Sequence, residues 1–186
     1  MLDIKILELF PYFNEIKKEE LKELGIKAMY RAIKEGGWSK NIQEVPVTIN
    51  WENVNCNLIK HINLVTKLCL KFYDSLSDLN NFNGMKMDRD IVILGALLHD
   101  IGKFIEFEFV EGKVKYSEKS KYMRHPLIGA ILVKEIGLPD EIINIVANHS
   151  FEGDRSFIIP EGHLIKNVDN LVFENTVLGL NKKSKE

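Results

Sequence analysis

The sequence predicts an all-α helical bundle carrying one short β-hairpin, and three observations predict it. Apolar residues recur at Leu58, Ile62, Val65, Cys69 and Phe72, the spacing of one face of a helix. The run Ile91 to Leu98 is apolar on nearly every side, as a helix at the centre of a bundle would be. One stretch, Phe104 to Tyr116, alternates like a strand pair, with Glu111 and Gly112 as the turn between two apolar arms.

In chain order, Lys18 to Lys34 reads as a helix stopped by Gly36 and Gly37, within a helical preface over residues 1–50 packed on the rest. The turn-prone stretch Asn50 to Asn55 introduces a long amphipathic helix from about Val54 to Ser77. Asp88 is placed to cap the buried helix that follows. Past the hairpin come helices at Pro126 to Ile136 and Pro139 to Asn148, the latter with Pro in its first turn and Asp140 and Glu141 beside its positive end. A last helix spans about Glu161 to Glu174, and the polar end from Asn181 to Glu186 reads as a frayed terminus. A single domain is expected over 1–186, with a core at 51–175 and a tail at 176–186.

With 25 Lys plus Arg against 27 Asp plus Glu, no strong field draws the protein to nucleic acid or anionic lipid. A small diffusible substrate fits better than stable nucleic-acid binding, and a homodimer is compatible with the same surface. The opening lacks the order of a signal peptide, and the longest apolar stretch falls short of the roughly 20 residues that span a bilayer. Cys56 and Cys69 form no CxxC pair and read as packing residues of a reducing compartment, so a cytoplasmic protein without a membrane partner is expected.

Several polar residues stand where the core should be. His61 shares its helix face with Leu58, Val65 and Leu68, His125 lines up with Ile128 and Leu132, and His149 with Ile145 and Ile142. Each alone is more often a hydrogen-bonded core histidine than a ligand. His99 and Asp100 close the most apolar helix, where an ionised carboxylate is costly without a cation or several donors. Asp169 shares the apolar stripe of Ile165, Val172 and Phe173, while Lys166, Asn167 and Asn170 take the other side. Of the five histidines, His163 alone falls outside the pattern, and with Asp154 and Arg155 it reads as surface. Imidazoles and carboxylates in this number suit one or two divalent metals among Fe, Mn, Ni, Co, Zn and Mg.

The ordered set H...HD...H...H...D, with Ile101, Gly102 and Lys103 after the HD pair, resembles the HD-domain superfamily of metal-dependent phosphohydrolases over about His61 to Glu174. AIKEGGWSK, RHPLIGA and NHSFEGD are similar to segments of small archaeal and bacterial HD proteins. The resemblance implies that His61, His99, Asp100 and Asp169 hold a first metal and His125 and His149 a second, with Asp100 bridging. It also implies hydrolysis of a phosphate ester of nucleotide or cyclic-nucleotide type by metal-activated water, Asp100 being catalytic. Lys103 resembles the lysine that follows HD in many relatives and would act on the substrate phosphate, with a solvated helix cap as its plainer reading. Arg124 would clamp the phosphate, unless the cluster Lys119, Lys121 and Arg124 is a solvated loop. Phe104, Phe107, Phe109 and Tyr116 would pack within the hairpin or stack on a base. Two alternatives share the ligand pattern: a diiron oxygenase resembling myo-inositol oxygenase, and a nucleotide-sensing module.

Overall fold

The computed structural model describes residues 5–78 and 86–182. Its α-helices are α1 (Ile6–Leu9), α2 (Glu19–Glu35), α3 (Leu58–Asp78), α4 (Arg89–Leu98), α5 (Lys103–Glu106), α6 (His125–Ile136), α7 (Asp140–Asn148) and α8 (Pro160–Val177). Strands β1 (Phe107–Val110) and β2 (Lys113–Tyr116) pair antiparallel, Phe107 opposite Tyr116 and Val110 opposite Lys113. The two residues between them, Glu111 and Gly112, both have positive φ, 52° and 78°, the tight turn whose twist suits a two-residue hairpin. The fold is the all-α bundle with one hairpin that the sequence predicts.

Helix α4 occupies the centre because it has no polar face to turn outward. Every residue from Asp90 to Leu98 is buried, and α3, α7 and α8 surround it. Asp88 caps it as expected, accepting from the backbone N–H groups of Asp90 and Ile91. Asp90 is buried but not alone, since the N–H groups of Lys17 and Lys18 donate to its two oxygens at 3.1 and 2.9 Å. That bond ties the start of α2 to the start of α4. The preface thereby joins one continuous apolar cluster that runs from Ile6 and Phe10 to Val168 and Val172.

Several boundaries differ from expectation for identifiable reasons. Helix α3 starts at Leu58, not Val54, because the Asn57 side chain accepts from the Lys60 N–H and fixes the first turn there. Phe104 does not belong to the hairpin. It is fully buried in α5, and its carbonyl accepts from Trp38 Nε1 at 2.8 Å. Pro139 is the residue preceding α7 rather than part of its first turn. Helix α8 runs past Glu174 to Val177, which is buried. The end is not frayed at Asn181 and Lys182, since Glu52 N–H donates to the Asn181 carbonyl and Trp51 bridges to Lys182. Residues 183–186 of the expected tail lie outside the described residues.

One close approach packs the residues after α4 against α6. Gly102 lies so near α6 that a Cβ there would stand 2.0 Å from the His125 carbonyl oxygen and 2.9 Å from the Gly129 nitrogen. Backbone cannot yield as a flexible side chain does. We expect Gly102→Ala to destabilise the protein by about 3 kcal/mol, read from the urea midpoint. A shift under one third of that would show that the two segments separate freely.

Candidate metal centre

The residues singled out by sequence come together. His61 leaves α3, His99 and Asp100 follow α4, His125 begins α6, His149 follows α7 and Asp169 leaves α8. His61 and His99 are fully buried, Asp100 and His149 are 1% exposed and His125 is 5% exposed, so water cannot stabilise their charges. Ligand atoms of His61, His99, Asp100 and Asp169 all lie within 4.8 Å of one another, as do those of Asp100, His125 and His149. Asp100 is common to both groups, and the cluster could hold a metal.

Asp100 divides its oxygens between the groups. Oδ2 lies 3.4 Å from His61 Nε2, 3.5 Å from His99 Nε2 and 2.8 Å from Lys103 Nζ. Oδ1 lies 3.4 Å from both His125 Nε2 and His149 Nε2, yet makes no hydrogen bond. A buried carboxylate oxygen left without a donor between two imidazole nitrogens fits a cation that all three would share. Asp169 Oδ1 lies 2.9 Å from His61 Nε2 and 3.6 Å from His99 Nε2.

Helix ends turn the imidazoles inward. The last carbonyls of a helix lack partners, and His99 Nδ1 donates to Ala96 O at 2.7 Å while His149 Nδ1 donates to Val146 O at 2.9 Å. A carbonyl only accepts, so the proton sits on Nδ1 and Nε2 faces the cluster. His61 Nδ1 has no such partner. His125 Nδ1 lies 3.2 Å from Glu106 Oε2, at an angle outside good hydrogen bonding.

Charge is spread unevenly over the cluster. Burial lowers His61, against the pull of Asp169 and Asp100. His99 is also penalised by burial, yet the charges and hydrogen bonds of Asp100 and Asp169 push it up to about 10. Asp100 and Asp169 fall far below ordinary carboxylates, since burial is outweighed by Lys103, His99 and His149 at Asp100 and by His61 and His99 at Asp169.

The remaining expected residues have definite positions. Lys103 is buried rather than solvated, donating to Val47 O at 3.0 Å as well as to Asp100. Arg124 is half-exposed and donates through Nε to Glu106 Oε1 at 2.6 Å. Of the hairpin aromatics, Phe107 and Tyr116 pack with ring centres 5.5 Å apart, and Phe109 packs on Trp38 at 6.2 Å. His163 and Arg155 are exposed, as expected of surface residues. Asp154 pairs with Lys166 Nζ, which also holds the carbonyls of Asn148 and Ser150 behind His149. Sequence reading missed Glu106, Lys166 and the Val47 carbonyl. A shallow groove of about 510 Å³ lined by Lys27, Tyr30, Arg31, Lys34, Glu35 and Ile136 includes none of the cluster.

This clustering agrees with comparison to known proteins, where the HD domain model matches residues 58–173. The chain belongs to the HD domain family. Among relatives of this HD domain is a dihydroneopterin 2',3'-cyclic phosphate phosphodiesterase from Methanocaldococcus jannaschii, 36% identical over 153 residues, 77% of this chain and 57% of that protein. A tRNA (cytidine(56)-2'-O)-methyltransferase from Picrophilus torridus is 26% identical over 69% of this chain and 35% of its own length. A ribonuclease Y from Pseudothermotoga lettingae is 35% identical over 46% of this chain and 14% of its own. The chain therefore spans little more than half, or less, of the curated relatives it matches. No solved structure matches significantly.

The sign of each shift fixes a pH response for protein stripped of divalent ions. The stabilisation from His99 is whole below the ordinary imidazole value of 6.5 and is lost as pH rises through about 10. That from Asp169 is whole above the ordinary 3.8 and is lost on acidification. With a chelator present, the urea midpoint should fall between pH 6.5 and 10, and His99→Gln should flatten that limb. An unaltered limb in the variant would remove His99 as its cause.

Proposed function

We propose that this HD domain is a metal-dependent phosphodiesterase that hydrolyses a phosphate ester of nucleotide or cyclic-nucleotide type. The single observation that carries the reading is the pair of ligand groups joined at Asp100, whose Oδ1 is buried without a donor. The phosphodiesterase name among the relatives supports it. On this reading His61, His99, Asp100 and Asp169 hold one divalent ion, and Asp100, His125 and His149 hold a second.

Bound there, Fe, Mn, Ni, Co, Zn or Mg would supply Lewis acidity toward the phosphoryl group and make an attacking water more acidic. The chain itself binds and orients. Two aspartates leave a site with two such ions net positive, which favours an anionic phosphoryl group. Lys103 donates to Asp100 and lies where it can steady a phosphate oxygen beside that carboxylate. Arg124, with Nε committed to Glu106, retains its terminal amino groups for the same anion. The buried setting strengthens the Lys103–Asp100 interaction by excluding water.

The substrate is a small ester rather than a nucleic-acid polymer, given the near balance of 25 basic and 27 acidic side chains. Among the described residues no helix is long and apolar enough to cross a membrane. Cys56 and Cys69 are free thiols, in keeping with a reducing cytoplasm.

Two experiments test the reading. Protein loaded with Mn²⁺ should open 2',3'-cyclic nucleotides to monoesters, and Asp100→Ala should lose its metal and about 10³-fold or more in rate, as expected from several kcal/mol of lost transition-state stabilisation. Retention of both metal and turnover in that variant would exclude Asp100 from the role. Separately, Mn²⁺ added to the stripped protein in weak buffer should release protons, with affinity rising as pH rises, because His99 must lose its proton to bind. Binding without proton release would contradict coordination by this cluster.

A further inference from the structure

Glu106 closes α5 and is only 1% exposed, yet it belongs to neither ligand group. Three groups meet it. Arg124 Nε donates to Oε1 at 2.6 Å, the His125 backbone N–H donates to the same oxygen at 3.1 Å, and His125 Nδ1 lies 3.2 Å from Oε2. It is a buried carboxylate whose three contacts all belong to the start of α6.

His125 has a problem that His99 and His149 do not. Those two follow helices, and each finds a backbone carbonyl three residues back to accept its Nδ1 proton. His125 is the first residue of α6, so no preceding helical turn offers a carbonyl. A neutral imidazole presents one lone pair, and the nitrogen beside a carboxylate keeps the proton. Both ring nitrogens face a carboxylate, and Glu106 Oε2 at 3.2 Å from Nδ1, though off the line of a good hydrogen bond, is nearer than Asp100 Oδ1 at 3.4 Å from Nε2, which favours the proton on Nδ1 and the lone pair on Nε2. The same carboxylate accepts an unpartnered N–H of the first turn and lies at the positive end of the helix.

We propose that Glu106 is the positioning residue of the second ligand group, setting His125 with Nε2 toward Asp100 and fixing the Arg124 guanidinium beside it. The proposal rests on the reading that Asp100, His125 and His149 hold a metal. One side chain then governs both a ligand and the candidate phosphate clamp.

The test begins with the wild-type protein under chelator. Long-range ¹H–¹⁵N spectra of the imidazoles should show His125 protonated on Nδ1, and a proton on Nε2 would overturn the proposal whether or not any variant folds. Glu106→Gln turns an N–H toward Nδ1 or Arg124. It should abolish that tautomer preference and weaken the second Mn²⁺ about 10- to 100-fold while sparing the first, with Glu106→Asp recovering part of the loss. A variant whose His125 signals and Mn²⁺ titration match wild type would also overturn it. Should wild-type protein bind no Mn²⁺, the metal reading fails, and the His125 tautomer in wild type and Glu106→Gln still decides the part played by Glu106.

Discussion

A single carboxylate, Asp100, sets the terms for the rest of this structure. At 1% exposure it cannot hold a negative charge unless cationic or proton-donating groups surround it. Lys103 donates to it at 2.8 Å, and His61, His125 and His149 each stand at 3.4 Å and His99 at 3.5 Å around it, with Oδ1 left without a donor. Those groups come from α3, the end of α4, α5, α6 and the end of α7, so satisfying one side chain requires most of the bundle to be in place. Helix α4, apolar all round, is what carries Asp100 into the centre.

Helix termini solve the problem of aiming imidazoles without additional side chains. Backbone carbonyls that a helix leaves unpaired become acceptors for His99 and His149, turning a structural deficit into orientation. At the opposite kind of terminus, where carbonyls point away, Glu106 stands in. The contrast follows from helix polarity and needs no special geometry at the histidines themselves.

Much of the fold and the site could be read from spacing, because helix periodicity reports which face is buried. His61 and Asp169 declare themselves by sharing stripes with Leu58, Val65, Ile165 and Val172. What stayed hidden lacked a periodic signature. Glu106 and Glu108 look alike in FIEFEF, each between apolar neighbours, although one is buried and the other partly exposed. That same alternation drew Phe104 into the expected hairpin, whereas the bond from Trp38 Nε1 to its carbonyl holds it in α5, a tertiary contact that local pattern cannot announce. The Val47 carbonyl is backbone, to which residue identity gives no clue. The start of α3 moved by four residues for a local reason, capping by Asn57, which the apolar stripe does not encode.

The bond from Lys103 Nζ to Val47 O makes the segment before α3 part of the chemistry's electrostatic setting. Val47 is buried, Asn50 further along meets Tyr116 of the hairpin, and Asn57 anchors the far end by donating to Gln43 O. A stretch of chain without regular secondary structure is thus pinned from three directions, and its free carbonyl fixes where an ammonium group rests. Grafting the helices of the His/Asp cluster alone onto another scaffold would leave that ammonium without its second anchor, so the portable unit of this architecture is larger than the clustered side chains suggest.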